Sequence, residues 1–182
     1  MPVGRDAAEE VEVLEGDEGE PDRSRTRDLG TDFLQTAISE VKRAGVVSVA
    51  PDAPVEKAVE LMRRRKVAAV LVKRGKKLAG IFTERDLVNR ALPSRGWAKA
   101  PVKKFMTPSP ETLRPKDSVA YALNKMSVGR FRHVPLVDEA GAPVGIVSIR
   151  DLADFIVELI PETILNLPSQ PELALHPTVD GD

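Results

Sequence analysis

Gly80-Ile81-Phe82-Thr83-Glu84-Arg85-Asp86-Leu87 returns later in the chain as Gly145-Ile146-Val147-Ser148-Ile149-Arg150-Asp151-Leu152. Around these two stretches, at an offset of 65, Leu71 falls on Leu136 and Val72 on Val137. Further upstream the offset is 64, with Pro51 on Pro115, Val55 on Val119, Ala58 on Ala122 and Met62 on Met126. The change calls for one extra residue in the second copy, expected between Met126 and Leu136. So many matches in order mark a duplication, which governs the rest of the reading.

Each copy reads as β-α-β-β-α. A short strand (Val46–Val49; Thr112–Leu113) leads to a helix start at Asp52-Ala53-Pro54 or Lys116-Asp117-Ser118. Val55, Ala58, Val59 and Met62 form the apolar face of the first helix; Val119, Ala122, Leu123 and Met126 form that of the second. Two apolar runs follow, Val67–Val72 and Leu78–Phe82, or Val134–Val137 and Pro143–Val147. They are joined by turns at Arg74-Gly75-Lys76 and Glu139-Ala140-Gly141. A closing helix begins near Thr83 or Ser148. One such unit is too small to bury a good core, so two are expected to pack face to face.

The flanks differ from this core. Residues 1–28 carry ten acids and four bases with almost no large apolar side chains, and are expected to be a disordered acidic tail. Over 29–45, Phe33, Leu34, Ala37, Ile38 and Val41 recur at helical spacing, predicting an N-terminal helix stopped by Gly45. The first repeat is assigned to 46–92, a connecting segment to 93–105 and the second repeat to 106–160. Residues 161–182 hold Pro161, Pro168, Pro171 and Pro177 and predict an extended Pro-rich tail.

Composition removes several functional classes. The 182-residue chain contains no cysteine, which excludes thiolate metal sites, disulfides and cysteine nucleophiles. His133 and His176 are the only imidazoles, too few for a zinc site. No apolar run approaches the roughly 20 residues of a membrane span. The N-terminus does not read as a signal peptide, so a cytoplasmic location is expected. No Walker-type glycine loop or Ser-His-Asp pattern supports an enzyme. The net charge of −1 hides an asymmetry: 29–155 hold 23 bases and 13 acids, pointing to an anionic partner for the core.

The repeated motif has two physical readings. A strand ending in Thr83 or Ser148, with Asp86 or Asp151 three residues on, is close to a capping box. The same helix start offers free N–H groups and partial positive charge to a phosphate, and its Asp can accept both hydroxyls of a ribose. The two roles are compatible, since a capping side chain can also face a ligand.

These residues carry a family resemblance. The tandem pattern, both Gly-x-x-Thr/Ser-x-Arg-Asp segments, and Arg130-Phe131-Arg132-His133-Val134-Pro135-Leu136-Val137-Asp138 resemble a tandem pair of cystathionine-β-synthase (CBS) domains, a Bateman module. The resemblance covers about 46–155. It implies an α/β fold of two β-α-β-β-α repeats with pseudo-two-fold symmetry and a regulatory, non-catalytic role. It further implies adenosine ligands (AMP, ADP, ATP, S-adenosylmethionine or NAD) in two clefts between the repeats. The ribose- and phosphate-binding residues it implies are Thr83, Asp86, Ser148 and Asp151. The adenine contacts it implies fall within Val46–Val49, with Val47 the candidate, and Glu111–Leu113, and the phosphate contacts on Arg130, Arg132 and His133. No cofactor is required; whether magnesium accompanies ATP is left open. The implied partners are a second copy of the chain and a regulated protein.

Two other readings stand beside this one: a nucleotide-indifferent dimerisation module, and a non-specific nucleic-acid binder using the basic core. With one Trp, one Tyr and five Phe, stacking platforms for bases are scarce, which weighs against the latter.

Overall fold

The structure is a computed structural model and describes residues 34–41 and 45–159. The expected acidic tail over 1–28 and the Pro-rich tail over 161–182 lie outside the described residues. Each repeat contributes two helical segments and one antiparallel hairpin. In the first, β1 (Ser48–Val49) precedes α1 (Val55–Arg65), then β2 (Ala69–Arg74) and β3 (Lys77–Thr83). The short α2 (Glu84–Asp86) continues without a break as a π-helical turn over Leu87–Ala91. In the second, α3 (Val119–Gly129) precedes β5 (His133–Val137), β6 (Pro143–Ser148) and α4 (Ile149–Glu158). The expected β-α-β-β-α order is present, and Leu113 takes the place of a first strand as a single parallel bridge to Leu136.

The helices form where the apolar spacing predicts. Val55, Ala58 and Met62 of α1 are buried, as are Val119, Ala122 and Met126 of α3. Both end on a long cationic residue in the left-handed region, Lys66 at φ 53° and Arg130 at φ 54°. The hairpins turn at Gly75 and Gly141, both at positive φ, where a glycine carries no steric penalty.

Three apolar clusters hold the molecule. One, around Phe82, Val70 and Val72, lies in the first repeat; a second, around Leu136, Leu152 and Val134, lies in the second. The third joins Leu71, Ile81, Ala69 and Val46 of the first repeat to Ile146 of the second. Ile81 and Ile146 are repeat counterparts, so this inter-repeat layer packs the units face to face.

Two sequence expectations are corrected, one on the N-terminal segment and one on the register between the repeats. First, the described part of the proposed N-terminal helix is not α-helical: Ile38–Glu40 make one 3-10 turn, and Ala37 bridges to Ser118. The amides of Ile38 and Ser39 donate to the carbonyls of Asp117 (2.9 Å) and Pro115 (2.9 Å), so they are spent on the second repeat rather than within a helix. The connecting segment assigned to 93–105 packs on the first repeat. The amides of Val102 and Lys103 donate to the carbonyls of Ala53 (2.8 Å) and Pro51 (3.0 Å) of the first repeat, and Val102 is fully buried there.

The segment assigned to the second repeat, 106–160, opens on a strand that pairs with the first. β4 (Thr107–Pro108) adds to the edge of β3, pairing Gly80 with Pro108, and completes a sheet of order β1-β2-β3-β4. Second, the extra residue of the second copy is not before Leu136. Ala69 pairs with Thr83 as His133 pairs with Ser148, and Val72 pairs with Gly80 as Leu136 pairs with Gly145. Val72 therefore matches Leu136, and the insertion sits in the turn after it. A run as uniformly apolar as Val67–Val72 offers no pattern to fix its register; only the strand partner does.

Candidate functional site

Both copies of the motif close the same local circuit. The Thr83 side chain accepts from the amide of Asp86 (3.3 Å), and the Asp86 carboxylate accepts from the amide of Thr83 (3.0 Å). In α4 the Ser148 hydroxyl accepts from the amide of Asp151 (3.1 Å), and Asp151 accepts from the amide of Ser148 (2.6 Å). Each is a reciprocal capping box that satisfies two helix-start donors at once. The capping reading of the motif is therefore realised at both positions.

The two boxes also face each other. Thr83, Asp86, Ser148 and Asp151 all line one continuous cleft of about 780 Å³ between the repeats. The two clefts expected between the repeats open into this one continuous space, with a carboxylate in each half. The apolar surface between the halves includes Ala69, Ile81 and Ile146, part of the inter-repeat layer. The cations of Lys66, Arg85, Arg132 and Arg150 also line it, against the carboxylates of Glu84 and Glu111. Such a mixture of apolar lining and convergent charge suits a small amphipathic anion.

The remaining sequence candidates divide. Arg132 and His133 line the cleft. His133 is half-buried, and burial, with Arg132 and Arg85 nearby, holds its imidazole below the usual histidine range despite Asp151 and Glu84. Arg130 is not among the lining residues; its carbonyl accepts from Nη1 of Arg85 at 2.7 Å, a link from one repeat to the other. Val47 does not line the cleft either. It packs against the first core, and its carbonyl accepts from the amide of Leu71. A strand as short as β1 spends its backbone on the sheet, which leaves little to offer a ligand.

Sequence reasoning missed Arg90 and Thr107. Arg90 Nη1 lies 3.2 Å from Oδ1 of Asp86, and the Thr107 hydroxyl donates to the same oxygen at 3.4 Å. The i,i+4 spacing of Asp86 and Arg90 was a legible signal. Thr107 had none, because β4 reaches the site only through strand pairing. Asp86 is the one charged residue classed as buried among the described residues, at 7% exposure, and these partners compensate its desolvation.

Comparisons with known proteins agree with this architecture. The family model of the CBS domain matches residues 38–92 and 102–158. A CBS domain-containing protein of Arabidopsis thaliana is 28% identical over 160 residues, which cover 82% of this chain and 28% of that protein. The chain thus spans less than a third of that relative. Among solved structures, a CBS-domain protein of Agrobacterium tumefaciens is 32% identical with a TM-score of 0.60, covering 66% of this chain and 98% of that one. A CBS domain protein of Pyrobaculum aerophilum, solved in complex with AMP, is 27% identical with a TM-score of 0.62, covering 68% and 98%. Among the described residues, no helix is long and apolar enough to cross a membrane.

Proposed function

The chain belongs to the CBS-domain family, with two repeats in tandem, and we propose that it is a regulatory module binding an adenosine nucleotide between them. The observation that carries this reading is the continuous cleft onto which both Thr/Ser–Asp capping boxes open, lined by Lys66, Arg85, Arg132 and Arg150. Asp86 and Asp151 accept ribose hydroxyls, Thr83 and Ser148 sit at the phosphate end, and Arg132 and His133 contribute to phosphate binding. The AMP held by the Pyrobaculum relative supports an adenosine ligand. The module acts as a homodimer on a regulated protein, with Val88, Leu92 and Val157 as the exposed apolar side chains of the helices that would meet.

A thermal-shift panel with AMP, ADP, ATP with and without magnesium, NAD and S-adenosylmethionine tests it. At 100 times its dissociation constant a ligand adds about 2.7 kcal/mol. For this chain length that raises Tm by about 5–10 °C. The rise is expected with one of these ligands and is expected to vanish when Asp86→Ala and Asp151→Ala are combined. A flat panel on folded wild-type protein removes the reading.

A further inference from the structure

We propose that Arg90 is a lock on Asp86 that makes the two halves of the cleft unequal, so that the Asp151 half fills first. The inference rests on the reading of Asp86 and Asp151 as ribose-binding carboxylates. Both oxygens of Asp86 are already in use. Oδ2 accepts from the amide of Thr83 (3.0 Å) and its hydroxyl (2.8 Å), and Oδ1 faces Arg90 and Thr107. Asp151 differs: Oδ2 accepts from the amide of Ser148, its ionisable neighbour is the His133 imidazole, and no Lys or Arg ion pair holds this carboxylate among the described residues. A ribose reaching Asp151 meets an oxygen free to accept, whereas at Asp86 it must displace contacts on Oδ1.

The difference has a structural origin in the π-helical turn. Leu87 and Ala91, which pack against the first core, are separated by three residues; Leu152 and Phe155, which pack against the second, are separated by two. The amide of Leu92 donates to the carbonyl of Leu87 (2.9 Å), the i→i+5 bond of a π turn, and within that turn Ala91 is buried while Arg90 reaches the cleft. π-helical turns of this kind recur at functional sites. α4, regular throughout, carries Asp154 and Phe155 at the corresponding places. Asp154 lies 3.9 Å from Arg150 and Phe155 is buried.

The lock is movable and is wired to the segment joining the repeats. The Arg90 side chain is 51% exposed, while that of Asp86 is 9% exposed. The same Nη1 also donates to the carbonyls of Phe105 (3.3 Å) and Met106 (3.1 Å). Drawing Arg90 off Asp86 loosens its hold on 105–106, so occupation of the first half reaches the strand β4 and the second repeat beyond it.

Calorimetric titration with adenosine tests this, because adenosine brings ribose hydroxyls and no phosphate for Arg90 to attract. Wild-type protein is expected to show two unequal events, the tighter lost in Asp151→Ala and the weaker in Asp86→Ala. In the Asp151→Ala background, Arg90→Gln keeps donors for the two carbonyls but removes the ion pair. It is expected to tighten adenosine binding by about threefold to fivefold, the scale of a half-exposed pair. Thr107→Val in the same background removes the other contact on Oδ1 and is expected to tighten binding by about twofold; it decides the matter if Arg90→Gln does not fold. Unchanged or weaker binding in these variants overturns the lock, as does finding the tighter event at Asp86. If neither Asp86→Ala nor Asp151→Ala affects adenosine, the ribose-site reading itself fails, and the lock with it.

Discussion

Ile38 and Val102 are counterparts 64 residues apart, and each is buried in the core of the repeat to which it does not belong. Ile38 packs with Leu136 and Leu152 of the second repeat, Val102 with Phe82 and Val72 of the first. The backbone repeats the exchange: the amide of Val55 donates to the carbonyl of Ala100 (3.0 Å), and that of Val119 to the carbonyl of Thr36 (2.9 Å). Neither repeat closes its core without a segment passed over from the other. The two are therefore one cooperative unit, and the cleft between them is held by its own walls.

Ile38→Ala is expected to destabilise the protein by about 2–5 kcal/mol, because it empties a fully buried position rather than trimming a flexible terminus. Urea unfolding followed by far-ultraviolet circular dichroism measures it. A loss below about 1 kcal/mol would mean that the segment over 36–41 is not part of the second core.

Gly80→Ala strikes the pairing of β3 with β4. A Cβ at this position would lie 2.5 Å from Sδ of Met106 and 2.8 Å from the carbonyl oxygen of Thr107. The methionine can move, the backbone carbonyl cannot move freely, and the expected loss is about 1–3 kcal/mol. Because Thr107 bears on Asp86, the same substitution is expected to alter nucleotide affinity. Thermal melts and ligand titration on the one variant read both effects.

Thr83→Ala and Ser148→Ala each remove a capping hydroxyl, and each is expected to cost about 1 kcal/mol in the absence of any ligand. Thr83→Ser and Ser148→Thr keep the cap and are expected to stay within a few tenths of a kcal/mol of wild type. Melting curves of the four ligand-free variants separate the capping role from any role in binding.

His133 couples stability to pH. Burial, Arg132 and Arg85 hold its folded-state imidazole below the value of about 6.5 it has in an unfolded chain. Above that value both states are neutral and the contribution is complete. As pH falls through about 6.5 the unfolded chain takes up the proton first, so stability declines toward the lower folded-state value. His133→Gln is expected to flatten the fall in Tm between about pH 7 and pH 5. An unchanged slope would place the pH sensitivity elsewhere.

The duplication, the β-α-β-β-α order, both amphipathic helices and both Asp-bearing helix starts were legible in the sequence. All of these rest on local signals: side-chain period, turn glycines, capping spacing and the recurrence of Gly80–Leu87 at Gly145–Leu152. Their physics acts within a few residues and needs no tertiary partner to be read.

What only the tertiary structure decided is where distant backbones meet. The segment around Ile38 has the apolar spacing of a helix, yet its amides go to Asp117 and Pro115, because the second core needs the side chain more than the segment needs an internal ladder. The register of Val72 against Gly80, the crossing of β4 onto β3, the meeting of Asp86 with Thr107 and the joining of both carboxylates to one cleft are likewise pairings between residues far apart in the chain. Hydrogen bonds and buried contacts of that range leave no period in the sequence, so the chain specifies them only by folding.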